Sequence, residues 1–194
     1  MALLHSRGVR LEWITLCWNV IGVAVLAVAA VRASSVALAG FGLDSLIEIG
    51  ASAVVLWELS GTGATRQRRA LRLIGVAFLA LALYLLVQCV LALVTGHRAD
   101  PSPAGMAWTA VTALVMFALA TGKTRTGREL DNPVLATEGR VTFIDGLLAT
   151  AVLIGVGANA VAGWWWTDPV AGLVIVYYAL AESRHIFTNG PGGG

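Results

Sequence analysis

Long apolar stretches alternate with short polar connections along the whole chain. Mainly apolar runs cover approximately residues 11–31, 35–58, 71–96, 104–122, 134–161 and 167–184. A helix that crosses a bilayer needs about 20 such residues. The pattern therefore predicts an all-α, polytopic membrane protein with six transmembrane helices, in which residues 1–194 form a single transmembrane domain.

Composition agrees with this pattern, because 58% of the residues are hydrophobic and 12% are charged. The mean hydropathy of +0.80 is too high for a soluble domain whose surface must be wetted. The first apolar run follows a basic segment, as a signal peptide would, but at about 21 residues it exceeds the usual hydrophobic region of about 7–15. It is therefore interpreted as a membrane span.

The basic residues are distributed asymmetrically between the two sides that six spans define. Ten of the thirteen fall on one side, namely Arg7, Arg10, Arg66, Arg68, Arg69, Arg72, Lys123, Arg125, Arg128 and Arg184. Arg32 and Arg98 fall on the other side, and Arg140 lies within the fifth run. Because basic residues are retained in the cytoplasm, both termini are expected there. With no targeting segment, this polarity suits the bacterial inner membrane.

The remaining composition excludes several classes of protein. No basic tract with interleaved aromatic residues exists, so the net charge of +2 gives no reason to expect nucleic acid as a partner. Cys17 and Cys89 lie in separate spans without metal-binding or redox spacing, which indicates small core residues. We expect the three tryptophans at 164–166 to anchor the membrane interface and Asp168, before Pro169, to begin the sixth helix.

Two carboxylates stand in the middle of the second apolar run, in the stretch FGLDSLIEIGA. Asp44 and Glu48 are four positions apart, so on a helix they share one face. A charged side chain near the bilayer centre costs about 2.5–3.5 kcal/mol on insertion scales. Such residues indicate a functional site.

The fifth run carries a second polar stripe, formed by Glu138, Thr142 and Asp145 at spacings of four and three. Its helix is antiparallel to the second, so Asp145 is expected at the depth of Asp44 and Glu48. No lysine falls inside a predicted span, and Glu12 lies at a span end where water is expected to reach it. The interior then carries uncompensated negative charge that a cation would balance.

Proton exchange follows from the same chemistry. Without a cation, desolvation and mutual repulsion favour protonated carboxyls, whereas a bound divalent ion favours the ionised forms and displaces the protons. Oxygen ligands from carboxylates, a hydroxyl and water suit such an ion. The alternative is that protonated carboxyls only link helices through hydrogen bonds. Three acids at one depth favour the cation site.

The residues that carry this site resemble the transmembrane domain of the cation diffusion facilitator (cation efflux) family. The similar segments are GFGLDSLIEIGAS, EGRVTFIDGLLATAVLIG and WWWTDPVAGLVIVYYAL, and the resemblance covers nearly the whole chain. It implies a six-helix, usually dimeric exporter of divalent metals such as zinc that is driven by proton entry. By resemblance, Asp44, Glu48 and Asp145 are metal ligands.

Two departures from the family pattern affect the expected site and assembly. The first ligand of the fifth span falls on Val141, so Thr142 or Glu138 would have to complete the site. An all-oxygen site weakens the preference for zinc over manganese or iron. By the resemblance, we expect this chain to lack the usual cytoplasmic domain, and any homodimer is then expected to form through the transmembrane helices. No prosthetic group is implied, and the predicted partners are a divalent cation, protons and the lipid bilayer.

Two other functions are compatible with parts of the sequence. The segment DGLLAT at 145–150 partly imitates a metal-dependent CDP-alcohol phosphotransferase signature, but Thr150 replaces its arginine and the later acids are missing. A non-transporting membrane subunit or regulator that binds another membrane protein is the stronger alternative, because of Val141 and the absent domain. The sequence thus favours a secondary transporter and not an enzyme.

Overall fold

The computed structural model describes residues 2–59 and 64–189, and these residues form α-helices joined by short turns. Within those ranges six helices occur and no strand. The prediction of an all-α fold is confirmed for this part of the chain. Part of the predicted second connection, residues 60–63, and the final glycine-rich tail, 190–194, lie outside the described residues, as do the side chains of Arg66, Arg68 and Arg69.

All of the described helices except α2 are longer than the apolar runs that predicted them. Their bounds are α1 (Ala2–Ala33), α2 (Val36–Leu59), α3 (Ala64–Thr95), α4 (Pro103–Glu129), α5 (Pro133–Ala162) and α6 (Thr167–Asn189). α1 begins nine residues before the predicted start at 11, and α4 continues seven residues past the predicted end at 122. The basic stretch around Lys123 was expected in a connection and is instead helical.

Local chemistry explains where the helices begin and end. Ser102 caps α4 by accepting a hydrogen bond from the Gly105 amide at 3.2 Å, and Pro103 occupies the first helical position. In the turn before α5, Asp131 has a φ of 52° and Asn132 Oδ1 accepts from the Leu135 amide at 3.0 Å. These features make the α4–α5 connection a tight helical hairpin.

Asp168 lies in the first turn of α6, as predicted, but its side chain bonds to another helix. Its buried carboxylate accepts hydrogen bonds from the Ser35 hydroxyl and from the amides of Val36 (2.9 Å) and Ala37 (3.4 Å). These amides belong to the first turn of α2, which has no acidic residue of its own. Asp168 therefore caps α2 from a distant position and fixes α6 to it.

The helices pack as neighbouring pairs around a central member. α4 packs on α5, α3 on α6 and α1 on α2, while α2 also contacts α3, α5 and α6. Its apolar contacts belong to the buried core, to which Leu38 of α2, Leu85 of α3 and Ile175 of α6 contribute fully buried side chains. A polar side chain on the inner face of α2 consequently lies in the middle of the bundle.

The outside of the bundle is apolar, with large hydrophobic residues such as Val31, Val94 and Val161 at least 80% exposed. Five segments are long and apolar enough to cross a membrane: Leu4–Ala33, Gly75–Thr95, Pro103–Glu129, Glu138–Ala162 and Thr167–Thr188. They belong to α1, α3, α4, α5 and α6. A multi-pass membrane protein follows, while the sixth crossing by α2 and the side on which the termini lie stay predictions.

Candidate metal site

The inner face of α2 carries both of the carboxylates that the sequence singled out. Asp44 is 1% exposed and Glu48 is 2% exposed. Ser52, the next residue on the same stripe, is also fully buried, whereas Ser45 donates its hydroxyl to the Phe41 carbonyl of its own helix at 3.0 Å. The α2 carboxylates thus lie in the interior of the bundle.

Asp145 of α5 faces the same region and is 4% exposed. It lies within electrostatic range of both Asp44 and Glu48. We call these three residues the acidic site. The structure therefore brings together the acids of α2 and α5 that sequence spacing placed at one depth.

The carboxyl oxygens of the acidic site are incompletely bonded. Among the described residues, no donor group bonds to Asp44 Oδ1, to either oxygen of Glu48 or to either oxygen of Asp145. Asp145 lies close enough to Glu48 for the two carboxyls to share a hydrogen bond when one of them is protonated. Buried polar groups in folded proteins are nearly always hydrogen-bonded, and an unsatisfied one is destabilising. Five such oxygens in one region make the acidic site a candidate for binding protons or a cation.

The carboxylates are near one another without being convergent. In this conformation, no three His, Cys, Asp or Glu side chains of the described residues are arranged to hold a metal ion. Val141, where the family resemblance places a ligand, is a half-buried apolar residue on α5. The acidic site can thus offer oxygen ligands, but side-chain adjustment is needed to bring three of them onto one ion.

A second buried polar group lies beside the acidic site and is centred on Lys123 of α4. Its ammonium donates to Glu12 Oε2 at 3.1 Å, to Glu138 Oε1 at 3.3 Å and to Thr142 Oγ1 at 3.1 Å. Thr142 in turn donates to the Glu138 carbonyl at 2.9 Å. We call these four residues the lysine network. It links α1, α4 and α5 through ion pairs whose lysine is 0% exposed.

The lysine network corrects two expectations. Lys123 was placed in a solvated connection, and Glu12 was placed where water reaches it, but both are fully buried. The physical reason is that α4 continues past residue 122, so that Lys123 turns inward while Arg125, two residues later, is exposed. A cation inside the protein therefore compensates part of the buried negative charge.

The five residues predicted as metal ligands consequently fall into two groups. Asp44, Glu48 and Asp145 form the acidic site, whereas Glu138 and Thr142 already bond to the Lys123 ammonium. The groups are adjacent, because Thr142 and Asp145 are one helical turn apart on α5. Electrostatic interaction also extends from Lys123 to Glu48 and Asp145.

Sequence reasoning missed Tyr178 of α6. Its side chain is 7% exposed, and its hydroxyl is buried with no hydrogen-bond partner among the described residues. It lies within electrostatic range of Asp44, Glu48 and Asp145. A tyrosine inside an apolar run gives no sign of which way it faces, and the adjacent Tyr177 is 77% exposed.

Glu182, one helical turn further along α6 than Tyr178, lies within electrostatic range of Asp44. The half-buried carboxylate of Glu182 also stands 3.9 Å from Nδ1 of His185. Glu182 was expected near a span end with access to water, and its partial exposure agrees with that position. It extends the acidic region toward the end of α6.

Two comparisons with known proteins match this chain. A family model described as the cation efflux transmembrane domain matches residues 73–190, more than half of the chain. This range includes Asp145 and Tyr178 but begins after Asp44 and Glu48. Transmembrane protein 163 of Xenopus laevis is 24% identical over 179 residues, which cover 88% of this chain and 63% of that relative. The chain therefore spans less than two thirds of the length of this relative.

Proposed function

The chain belongs to the cation efflux transmembrane domain family, and on this premise we propose that it is a secondary transporter exporting a divalent metal cation in exchange for protons. The acidic site carries the proposal, because it combines three buried carboxylates with five oxygens that lack partners among the described residues. A family of transporters also agrees with the prediction that the protein is not an enzyme.

Charge balance supports a cation at the acidic site. The Lys123 ammonium, a buried positive charge beside the acidic site, is already shared between Glu12 and Glu138. Within the described part of the chain, no basic side chain bonds to Asp44, Glu48 or Asp145. Protons or a metal ion must neutralise them in a low-dielectric interior.

In the proposed mechanism, Asp44, Glu48 and Asp145 ligate the ion after small side-chain movements bring their oxygens together. Binding favours the ionised carboxylates and releases protons, and protons return when the ion leaves. Because Asp44 and Glu48 are on α2 and Asp145 is on α5, relative movement of the two helices opens or closes the ligand set, as alternating access requires. Glu138 and Thr142 could join the site only by leaving Lys123.

The ligand chemistry sets the range of ions. Carboxylate oxygens alone suit manganese or iron as well as zinc, since nitrogen and sulfur ligands are what favour zinc. We propose zinc, manganese or iron(II) as cargo. We further propose six spans in a single domain with cytoplasmic termini, a location in a bacterial inner membrane and any homodimer contact through the transmembrane helices.

The test is transport by purified protein in liposomes containing a metal-sensitive and a proton-sensitive dye. Wild-type protein should move metal and protons in opposite directions, and Asp44→Asn or Asp145→Asn should abolish both fluxes. Glu129→Gln, which changes an exposed acid at the end of α4, is the matched control and should transport normally. Unchanged exchange in either acidic-site variant would reject the assignment.

A second function is favoured by the apolar side chain of Val141 and by the absence of convergent ligands among the described residues. The protein would then bind metal without transporting it and would regulate a partner membrane protein. Calorimetry with zinc, manganese and iron(II) separates the two functions when combined with the flux assay. Metal binding that requires Asp44 without any flux would favour the regulator.

A further inference from the structure

A groove of about 500 Å³ lies between α4 and α5, on the outer side of this helical hairpin. The residues lining it include three arginines, two threonines and a phenylalanine: Arg125, Arg128, Arg140, Thr121, Thr124 and Phe143. We call these six residues the outer groove. No acidic side chain is among the residues that line it. Its polar chemistry is that of an anion site.

Close contact between the two helices creates the outer groove. A Cβ added at Gly127 would lie 2.5 Å from the Ala136 nitrogen, and one at Gly139 would collide with Thr124. The backbones of α4 and α5 therefore nearly touch at these two glycines. Side chains that flank the contact from both helices must then emerge together on the outer surface.

The basic residues of α4 are divided between the two sides of the hairpin. Lys123 is buried in the lysine network, whereas Arg125 and Arg128 are exposed on the outer side. Arg140 of α5, also exposed, joins them from the antiparallel helix. Three guanidinium groups thus face one groove, whereas the α5 acids of the lysine network and the acidic site, Glu138 and Asp145, are buried inside the bundle.

The position of the outer groove along the apolar segments indicates where its ligand comes from. The apolar segment of α4 ends at Glu129 and that of α5 begins at Glu138, so the arginines lie near one end of both candidate spans. Phe143, which is half-exposed and packs on Phe117 of α4, lies further into the apolar segment. A ligand with an anionic head and an apolar tail matches this order.

We infer that the outer groove binds an anionic phospholipid, with its phosphate between Arg125, Arg128 and Arg140 and an acyl chain along Phe143. Guanidinium groups bind phosphate through paired, charge-assisted hydrogen bonds, and the hydroxyls of Thr121 and Thr124 can add further donors. Basic pockets between transmembrane helices on the cytoplasmic side are suited to anionic head groups. The inference does not depend on the proposed transport function.

The test measures phospholipid retained by the purified full-length protein, using native mass spectrometry after equal exposure to phosphatidylglycerol or phosphatidylcholine. Wild-type protein should retain phosphatidylglycerol preferentially. Changing Arg125, Arg128 and Arg140 together to Gln should lower its retention by at least about tenfold and leave phosphatidylcholine unaffected. The single variants Arg125→Gln and Arg140→Gln should each give a smaller loss.

The matched control changes Arg7, Arg10 and Arg72 together to Gln, which removes the same charge from exposed positions outside the outer groove. It should retain phosphatidylglycerol as wild type does. An equal loss in this control would show general attraction to a basic surface and overturn the inference. Displacement of the lipid by millimolar inorganic phosphate would also overturn it, because the ligand would then be a soluble anion. So would unchanged retention in both single variants.

Discussion

The interior contains two clusters of buried acids, and they differ in what neutralises them. In the lysine network, Glu12 and Glu138 bond to the ammonium of Lys123 at 3.1 and 3.3 Å. In the acidic site, Asp44, Glu48 and Asp145 have five oxygens without a hydrogen-bond partner among the described residues. The two clusters share α5, where Glu138 and Asp145 are two helical turns apart.

The difference is whether the described residues supply a counter-ion for the buried acids. A permanent internal cation makes the lysine network complete, so it can connect α1, α4 and α5 without any ligand. No cation of the described residues bonds to the acidic site, which protons or a metal ion would then have to neutralise. A change that removes charge should accordingly have opposite effects on folding in the two clusters.

The largest effect, a loss of stability, is expected from Lys123→Met. The substitution leaves Glu12 and Glu138 buried without their common partner, and breaking a buried pair in this way destabilises a protein by about 3–5 kcal/mol. We expect a large fall in the thermal unfolding temperature of the purified protein. Arg125→Met, on an exposed position of the same helix, is the control and should change it little.

A triple variant sharpens this test. Lys123→Met combined with Glu12→Gln and Glu138→Gln removes all three charges and should recover most of the lost stability, since an uncharged buried cluster needs no counter-ion. If the triple variant is as unstable as Lys123→Met alone, side-chain packing and not charge compensation explains the effect.

For Asp145→Asn in metal-free buffer, we expect a change in stability of the opposite sign to that of Lys123→Met. The change removes a buried carboxylate that has no internal partner and lowers the repulsion on Glu48, so stability should stay equal or rise. Added metal should stabilise the wild type by about 2.7 kcal/mol at a hundredfold excess over the dissociation constant, and should leave Asp145→Asn unchanged. Thermal unfolding with and without metal measures both effects. A marked loss of stability without metal would contradict the comparison.

A smaller effect, on metal affinity, is expected when a substitution introduces a further metal-coordinating side chain. Val141→Asp places a carboxylate at the position where the family resemblance puts the first ligand of the fifth span. Metal affinity measured by calorimetry should then increase by about tenfold, because a further anionic oxygen joins the ion. Ile144→Asp, at another half-buried position of α5 in the wall between α4 and α5, serves as the control and should not tighten binding. Equal affinity in Val141→Asp and wild type would mean that residue 141 does not face the site.

The sequence predicted the helices and the acidic site because both depend on short-range spacing. Apolar runs of spanning length indicated the helices, and intervals of three and four placed Asp44 with Glu48 and Thr142 with Asp145. The cap that Asp168 provides to α2 joins residues 131–133 positions apart in the chain. Spacing carries no information about such long-range contacts.

The lysine network shows the same limit at the candidate site. Lys123 stands in the basic stretch GKTRTGR, which is typical of a solvated connection, and only the continuation of α4 turns it inward. Glu138 and Thr142 lie on the stripe that includes Asp145, but their spacing could not reveal a partner on another helix. The prediction of uncompensated interior charge was wrong in that Lys123 is a buried cation, although none of the described lysines and arginines bonds to Asp44, Glu48 or Asp145.

The smallest effect on stability is expected for Tyr178→Phe. The buried hydroxyl faces the acidic site and has no hydrogen-bond partner among the described residues, so its loss should change stability by less than about 1 kcal/mol. If this hydroxyl orients a carboxylate around the bound ion, calorimetry should show metal affinity lowered several-fold in Tyr178→Phe. Tyr177→Phe removes the same group from the adjacent exposed position and should bind metal as wild type does. Equal affinities in the two variants would exclude Tyr178 from the acidic site and leave α2 and α5 as the helices that hold the ion.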